Sequence, residues 1–554
     1  MSILESSPTR RDAKAYIQKY LDGEYASPTG NALPRTTDSL PDAPTHGNLT
    51  RIAVVNLRRI QETDDALLAG VAKTLSQLRA LGLFCVIVVD CGPGASPFTL
   101  LDQAHRVSRL VDGLEAQRSH VLHATFRVHN SDPGGLRMDP GPLSELLRKD
   151  ITPVIVPTSI DVDPHRVQTV DSSAVVLAVG KAITGDDAPR PPVAEEAAAQ
   201  SMATALPLRL SSSPGAASVE RVIILDPLGA LPLSKRPGSC HRLVNLHQEA
   251  EDIITWLSES IMPGHAENLR LARDALHVLP SMSSVLITSP SAAAHRSPSA
   301  QSAPVDGHGI ASVVRTRVAQ NPLIHNLLTD KPIYSSSLPI RRIYAGRGAS
   351  DAGNVDEPIR ATLVKRGLPL TIYPDPRVKP WTPPVSSADK PRLTDARIDL
   401  ERLTSLINDS FGRRLDVEHY LNRVNQNLAG VVVAGNYEGC AILTWEIAVD
   451  SDTGRQTTVP YLDKFAVLRS RQGNSGVADF LFNALAQDCF PDGLCWRSRK
   501  TNPVNKWYFE RSTGFLNLED TDWTMFWIGL NVRCGSTLLN AYEAVCRSIE
   551  PSWE

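Results

Sequence analysis

Between Arg51 and Tyr373, short apolar runs alternate with longer stretches whose apolar residues recur every three or four positions. The runs Arg51–Leu57 (Arg-Ile-Ala-Val-Val-Asn-Leu), Leu83–Asp90, Ile151–Ile160, Val219–Pro227 and Ser284–Ser289 predict strands buried on both faces. Asp64–Ala80, Phe98–Ala116, Val167–Thr184, Leu246–Ser258 and Ala266–Leu279 carry helical spacing. Strands alternating with amphipathic helices predict a parallel sheet covered by helices. Ile359–Arg366 and Leu368–Tyr373 close this region. Residues 22–48, rich in Pro, Thr, Gly and Asp, read as a flexible arm, and residues 186–217 as a flexible insertion rich in Ala, Pro and Ser.

The pattern changes beyond a proline-rich stretch at 376–394, which reads as a linker. A helix is predicted at Asp395–Ser410. Paired strands follow at Gly430–Val433 and Cys440–Ile447, then a strand at Tyr461–Leu468, a glycine-bearing turn at Arg471–Ala478 and a helix at Asp479–Asp488. This half reads as a mixed sheet with a few helices. At 554 residues the chain exceeds one ordinary core. Its 42% hydrophobic and 21% charged residues are those of a soluble globular protein. A net charge of −3 gives no electrostatic footprint for nucleic acid, and no apolar run reaches the roughly 18 residues that cross a bilayer. The eight cysteines are scattered without CxxC or zinc-ligand spacing, which fits free thiols in a reducing compartment and no metal. Met1–Tyr20 carries Arg10, Arg11, Lys14 and Lys19 but also Glu5 and Asp12, so it reads either as a weak targeting segment or as an arm.

The densest chemistry lies between Tyr461 and Gly529. A strand, a glycine turn and a helix N-terminus together make an anion site from backbone N–H groups. Gly476-Val477-Ala478 supplies the Gly-x-Ala of an acyl-CoA turn, with Gln472 four residues before Gly476; taken alone, the turn fits an ordinary strand-to-helix connection. Arg497 and Arg499 point to one face of a strand. Two guanidinium forks there suit a dicarboxylate or a phosphate, and equally suit structural ion pairs on an exposed face. Cys495 beside them has no histidine partner nearby in the sequence and reads as structural.

Tyr461-Leu462-Asp463-Lys464-Phe465, the Arg471–Ala478 turn and Trp496–Phe509 together resemble N-acetylglutamate synthase, most strongly the fungal amino-acid acetyltransferases. Ile407–Leu415 and Trp523-Thr524-Met525-Phe526-Trp527 extend the resemblance over most of residues 400–530. It implies an α/β chain with an amino-acid-kinase-like parallel-sheet domain at 49–375 and a GCN5-related acetyltransferase domain of mixed α/β type at 395–554. It implies acetyl transfer from acetyl-CoA to the α-amine of L-glutamate, the first step of arginine biosynthesis. By position, Arg413, Arg497, Arg499, Asn502 and Tyr508 line the glutamate site, with Asn502 and Tyr508 catalytic. Lys464 either assists electrostatically or is a solvated strand-end lysine. Arg471, Gln472, Gly473, Asn474, Ser475, Gly476 and Ala478 would hold the CoA pyrophosphate. Tyr508 would stabilise or protonate the leaving thiolate, or is a core tyrosine between Trp507 and Phe509. A backbone N–H on Lys464–Leu468 would hold the thioester oxyanion. No general base is named by the sequence.

An active amino-acid kinase needs a lysine and a glycine pair after its first strand. Here Asn56-Leu57-Arg58-Arg59 follows Val54-Val55, which argues against phosphoryl transfer. The resemblance then implies a regulatory first domain, feedback inhibition by L-arginine, a homo-oligomer, a possible complex with the next pathway enzyme, and a mitochondrial matrix location. Acidic residues near Gly348–Glu357 read as a solvated loop. The alternative is a non-catalytic, arginine-sensing subunit.

Overall fold

The computed structural model describes residues 50–553 except 115–116, 129–135, 161–166, 186–216, 235–238, 261, 296–320, 334–360, 384–389, 450–453, 473–475 and 530–535. The N-terminal arm, residues 186–216 of the insertion and the Gly348–Glu357 stretch lie outside the described residues. The chain divides into two compact units, one built from Met1–His241, Asp252–Ile333 and Glu357–Arg366, the other from Arg242–Glu251, Tyr334–Asp356 and Gly367–Glu554.

The first unit is organised around β1 (Thr50–Leu57), whose Ile52, Ala53, Val54 and Val55 are wholly buried. After β1 come α1 (Asp65–Ala80), β2 (Phe84–Val89), α2 (Pro97–Asp112), β3 (Ser119–Leu122), β4 (Thr152–Ile155), α3 (Ser172–Thr184), β5 (Ala217–Leu225), α4 (Pro263–Val278), β6 (Ser284–Thr288) and β7 (Ala361–Lys365). The strands stand in the order β7-β6-β5-β1-β2-β4-β3. All these pairings are parallel except that of β6 with β7. This is the helix-alternating parallel sheet that the apolar runs predict. Helix starts follow side-chain chemistry: Asp64 accepts from Leu67 N at 2.6 Å to cap α1, and Ser96 accepts from Thr99 N at 3.1 Å just before Pro97 opens α2.

Two elements differ from expectation. The run Ile151–Ile160 splits at Pro157, which has no N–H for a ladder. Thr152–Ile155 stays in the main sheet, and Thr158–Ile160 joins a small second sheet. The predicted helix Val167–Thr184 begins only at Ser172, where Asp171 caps it. Val167–Thr169 is instead an edge strand of the small sheet.

The second unit contains β8 (Leu370–Tyr373), α5 (Leu400–Phe411), α6 (Val417–Asn427), β9 (Leu428–Ala434), β10 (Gly439–Val449), β11 (Gln456–Val467), α7 (Val477–Ala484), β12 (Leu494–Arg499), α8 (Asn505–Arg511), β13 (Gly514–Asn517), β14 (Trp523–Ile528) and α9 (Thr537–Ser548). Its sheet order is β8-β9-β10-β11-β12-β14-β13. One face packs on α7 and α8 through Leu481, Phe482, Trp496, Tyr508 and Phe526. The other packs on α5 and α6 through Leu406, Tyr420, Ile442 and Ala466, and on α9 through Tyr461, Cys495, Tyr542 and Val545.

Leu370–Tyr373, expected to close the first region, is the edge strand of this second sheet. It pairs antiparallel with β9, and Leu370 and Ile372 pack against the second unit's core. The proline-rich segment is not a free tether where it is described. Trp381 is buried and donates Nε1–H to Pro374 O at 2.8 Å, and Leu393 is fully buried. A Cβ at Gly430 would overlap the Trp381 ring. Gly430→Ala is therefore expected to destabilise the protein by about 1–3 kcal/mol through overpacking. In a Trp381→Ala background the same change should cost far less; denaturation of the four proteins of that double-mutant cycle measures the coupling.

Candidate active site

The site is built on one irregularity in β11. This strand follows β10 in antiparallel register from Val449↔Gln456 to Gly439↔Val467, but Ile442 faces Lys464 while Leu443 faces Leu462. Asp463 is therefore an extra residue, a β-bulge. Because side chains alternate with period two, the bulge exchanges which positions face which side. Before it, Val459 and Tyr461 face α9; after it, Lys464 and Ala466 face α5 and α6. Phe465 turns to the opposite face and packs on Trp507 and Phe482.

Next to the bulge the sheet opens. β11 and β12 are parallel, and their only ladder pair among the described residues is Tyr461↔Cys495. Beyond it Leu462–Val467 and Trp496–Arg499 part, although each strand stays fully paired on its outer side, β11 with β10 and β12 with β14. The inner edges of the gap thus present backbone N–H and C=O groups to whatever enters it.

Asp463 is held in a buried charge network. Its carboxylate accepts from Tyr420 Oη at 2.7 Å and from Lys464 Nζ at 3.0 Å, and pairs with Arg423. Arg423 also reaches Glu446 at 3.5 Å, and Glu446 accepts from Thr444 Oγ1 at 2.7 Å. Burial alone would raise the Asp463 pKa, but the charges of Lys464 and Arg423 and the hydrogen bonds of Tyr420 and Arg423 hold it down at about 2. Burial and the neighbouring Asp463 push the Tyr420 hydroxyl well up. A carboxyl so acidic is a counter-ion, not a proton acceptor at neutral pH. Asp463 belongs to the Tyr461–Phe465 motif, but nothing in the motif itself gives it a role. The available signal was the adjacent polar pair Asp463-Lys464 interrupting an alternating strand, matched by inward polar residues at 420, 423 and 427 along α6.

Of the residues expected to line the glutamate site, Arg497 and Arg499 lie, with Lys464, on the face covered by α5, α6 and α9, whereas Asn502 and Tyr508 do not. Arg497 and Arg499 share that face, and their guanidinium carbons lie 4.2 and 5.5 Å from the Trp523 ring centroid. Arg497 is partly committed: it donates to Cys546 O at 2.5 Å and to Ile549 O, closing the C-terminus of α9. Arg499 is exposed. Both line a cleft of 480 Å³. Lys464 is buried between the Tyr420 ring, 4.7 Å from Nζ, and the Trp553 ring at 5.5 Å. Arg413 is exposed on the turn after α5, whose cap Gly412 has φ 64°.

Asn502 and Tyr508 lie on the opposite face. Tyr508 is buried against Trp496, Trp507 and Phe526, and that burial drives its hydroxyl pKa upward. Asn502 donates to Ser498 Oγ at 2.9 Å and accepts from Val504 N at 3.0 Å. On this face β11 also passes into α7. Arg471 pairs with Glu438 at 3.0 Å, and Gln472 Nε2 donates to Val467 O at 3.0 Å. Gly476 caps α7 with φ 71°, a left-handed conformation natural to glycine, and Ala478 is half-buried in the first turn. Gly473, Asn474 and Ser475 lie outside the described residues. The residues expected to line one glutamate site are therefore divided between the two faces of the sheet: Arg497 and Arg499 on one, Asn502 and Tyr508 on the other. Burial and the neighbouring Cys546 raise the Cys495 thiol far above its ordinary pKa, so Cys495 is no nucleophile. No group of three or more His, Cys, Asp or Glu placed to hold a metal occurs among the described residues.

In the first unit, the C-terminal ends of β1, β2 and β5 are occupied by side chains. Arg58 donates to Asp90 at 3.3 Å and to Asn268 Oδ1 at 2.5 Å; Arg59 pairs with Asp226, which also accepts from Asn268 Nδ2 at 2.8 Å. The strand ends where open α/β sheets bind ligands are thus filled by two guanidinium groups and their partners.

Residues 388–545 match the family model of the N-acetyltransferase domain of N-acetylglutamate synthase. A mitochondrial amino-acid acetyltransferase of Neurospora crassa is 40% identical over 606 residues, spanning all of this chain and 84% of the relative. One of Aspergillus oryzae is 39% identical over 623 residues, spanning all of this chain and 89% of the relative.

The Asp463 network carries a pH signature. A carboxyl whose folded pKa lies near 2, below the ordinary value of about 3.9, binds fewer protons folded than unfolded between those limits. Its stabilisation is complete above about pH 4 and is lost as pH falls through about 2. Asp463→Asn should flatten that part of the acid-denaturation profile relative to the parent, as read by near-UV circular dichroism.

Proposed function

This chain belongs to the family of mitochondrial amino-acid acetyltransferases, and from that membership we propose that its acceptor is L-glutamate, giving N-acetyl-L-glutamate and CoA as the first step of arginine biosynthesis. It is an acyltransferase that uses acetyl-CoA to acetylate an amino acid. The observation that carries the finer reading is the two-faced gap between β11 and β12. On one side stand Arg413, Lys464, Arg497 and Arg499, cations suited to the two carboxylates of glutamate. On the other stand Asn502, Tyr508 and the turn from Arg471 to Ala478, for the donor.

In this reading acetyl-CoA enters from the α7–α8 face and runs its amides along the unpaired strand edges. The CoA pyrophosphate sits at the Arg471–Ala478 turn and the α7 N-terminus. Glutamate comes from the other face, its carboxylates fixing the α-amine against the thioester carbonyl. The amine attacks in its neutral form, the new C–N bond forms, and the carbonyl oxygen is held by a backbone N–H of β11. The C–S bond then breaks: the nitrogen releases its extra proton to water, the thiolate takes a proton from the Tyr508 hydroxyl, and water re-protonates Tyr508. Asn502 orients this end of the site.

The first unit is read as regulatory. Arg58 and Arg59 fill its strand-end crevice, which supports a sensor over a kinase. Feedback inhibition by L-arginine, assembly of a homo-oligomer, a complex with the next pathway enzyme and residence in the mitochondrial matrix belong to the same proposal.

Release of free CoA from acetyl-CoA should depend on glutamate far more than on other amino acids and should fall on adding L-arginine. Folded protein that releases CoA with another amino acid but not with glutamate would sink the glutamate assignment. Tyr508→Phe should lower kcat by about 10²-fold or more while leaving the glutamate KM within about threefold; undiminished turnover removes Tyr508 from the site.

A further inference from the structure

We propose that the five residues after α9, Ile549–Trp553, form a wall of the amino-acid site, and that Trp553 sets how tightly the acceptor is held. The inference rests on the assignment of Lys464, Arg497 and Arg499 to the acceptor, and adds a segment to which no role was given. Ile549 O accepts from Arg497, so the path of this segment fixes where that guanidinium points. Ile549, Glu550 and Pro551 then line the 480 Å³ cleft together with Arg497, Arg499 and Trp523. Cations and an acidic side chain on one cleft wall match the mixed charge of an amino acid.

The segment next crosses to the turn carrying Arg413. Asp416 N donates to Ser552 O at 3.3 Å, Trp553 forms an antiparallel bridge with Leu415, and Ser552 is 1% exposed. The Trp553 ring rests on Phe411, with centroids 4.9 Å apart, and its face lies 5.5 Å from Lys464 Nζ. Lys464 is thus enclosed by Tyr420, Trp553 and Asp463. An aromatic face over the ammonium limits its rotamers and its hydration before substrate arrives, which lowers the ordering cost of binding an anion there. One short segment therefore touches Arg497, Lys464 and the turn of Arg413 at once. Trp553 is a positioning residue acting through Lys464.

The test is steady-state kinetics on the full chain with Trp553→Ala and Trp553→Phe, varying glutamate and acetyl-CoA separately and recording the melting temperature of each protein. Trp553→Ala should raise the amino-acid KM about fivefold or more, with kcat and the acetyl-CoA KM within about twofold, and Trp553→Phe should recover most of the loss. An unchanged amino-acid KM overturns the proposal. So does an equal rise in both KM values with a lowered melting temperature, the mark of a merely structural residue. If Trp553→Ala does not fold, Trp553→Leu keeps bulk without an aromatic face and is held to the same two outcomes. If the parent acetylates a different amino acid, the glutamate reading fails alone, and the same comparison on that amino acid decides the role of Trp553.

Discussion

The second unit depends on a single inserted residue. Were β11 regular, a side chain at position 464 would face α7 and α8 rather than α5 and α6, and Phe465 could not join the aromatic cluster under the opposite face. The extra residue is a buried carboxylate, and burying it is unfavourable until Tyr420, Arg423 and Lys464 surround it. The bulge therefore forms together with α6. Local backbone irregularity and tertiary charge pairing are one event here.

That coupling explains a division of labour across the sheet. Positions 497 and 499 of β12 and position 464 of β11 look to one side; positions 496 and 498 look to the other, toward Tyr508 and Asn502. Two chemically unlike surfaces are then separated by one layer of backbone. The cations have α9, Trp523 and Trp553 around them. The phenol has a dry aromatic setting.

The sequence carried much of this in its periodicities. The short apolar runs at Arg51–Leu57 and Leu83–Asp90 are suited to strands buried on both faces, and the one-residue spacing of Arg497 and Arg499 puts them on one face of a strand. What it did not carry depends on contacts distant along the chain. Leu370–Tyr373 reads as well at the end of one sheet as at the edge of the next, because strand propensity does not name a partner. Trp381 hides among prolines that by composition signal a tether. Arg497 closes a helix end about fifty residues downstream, and no local pattern announces that. Asp463 was visible only as a break in alternation, whose meaning came from α6.

Among the described residues, β11 and β12 share one ladder pair, Tyr461↔Cys495. The seven strands make two leaves, four on one side and three on the other, stitched by backbone at a single point. Elsewhere the leaves are clasped by side chains: Phe482 against Trp496 at 5.6 Å on one surface, and α9 laid across Val459, Tyr461, Cys495 and Met525 on the other. Such a joint resists shear, because interlocking rings cannot slide, yet it yields to a small change of angle, because few hydrogen bonds must break. The spine of this book-like sheet lies at the mouth of the gap, and on either side of it β11 and β12 keep their outer pairings with β10 and β14.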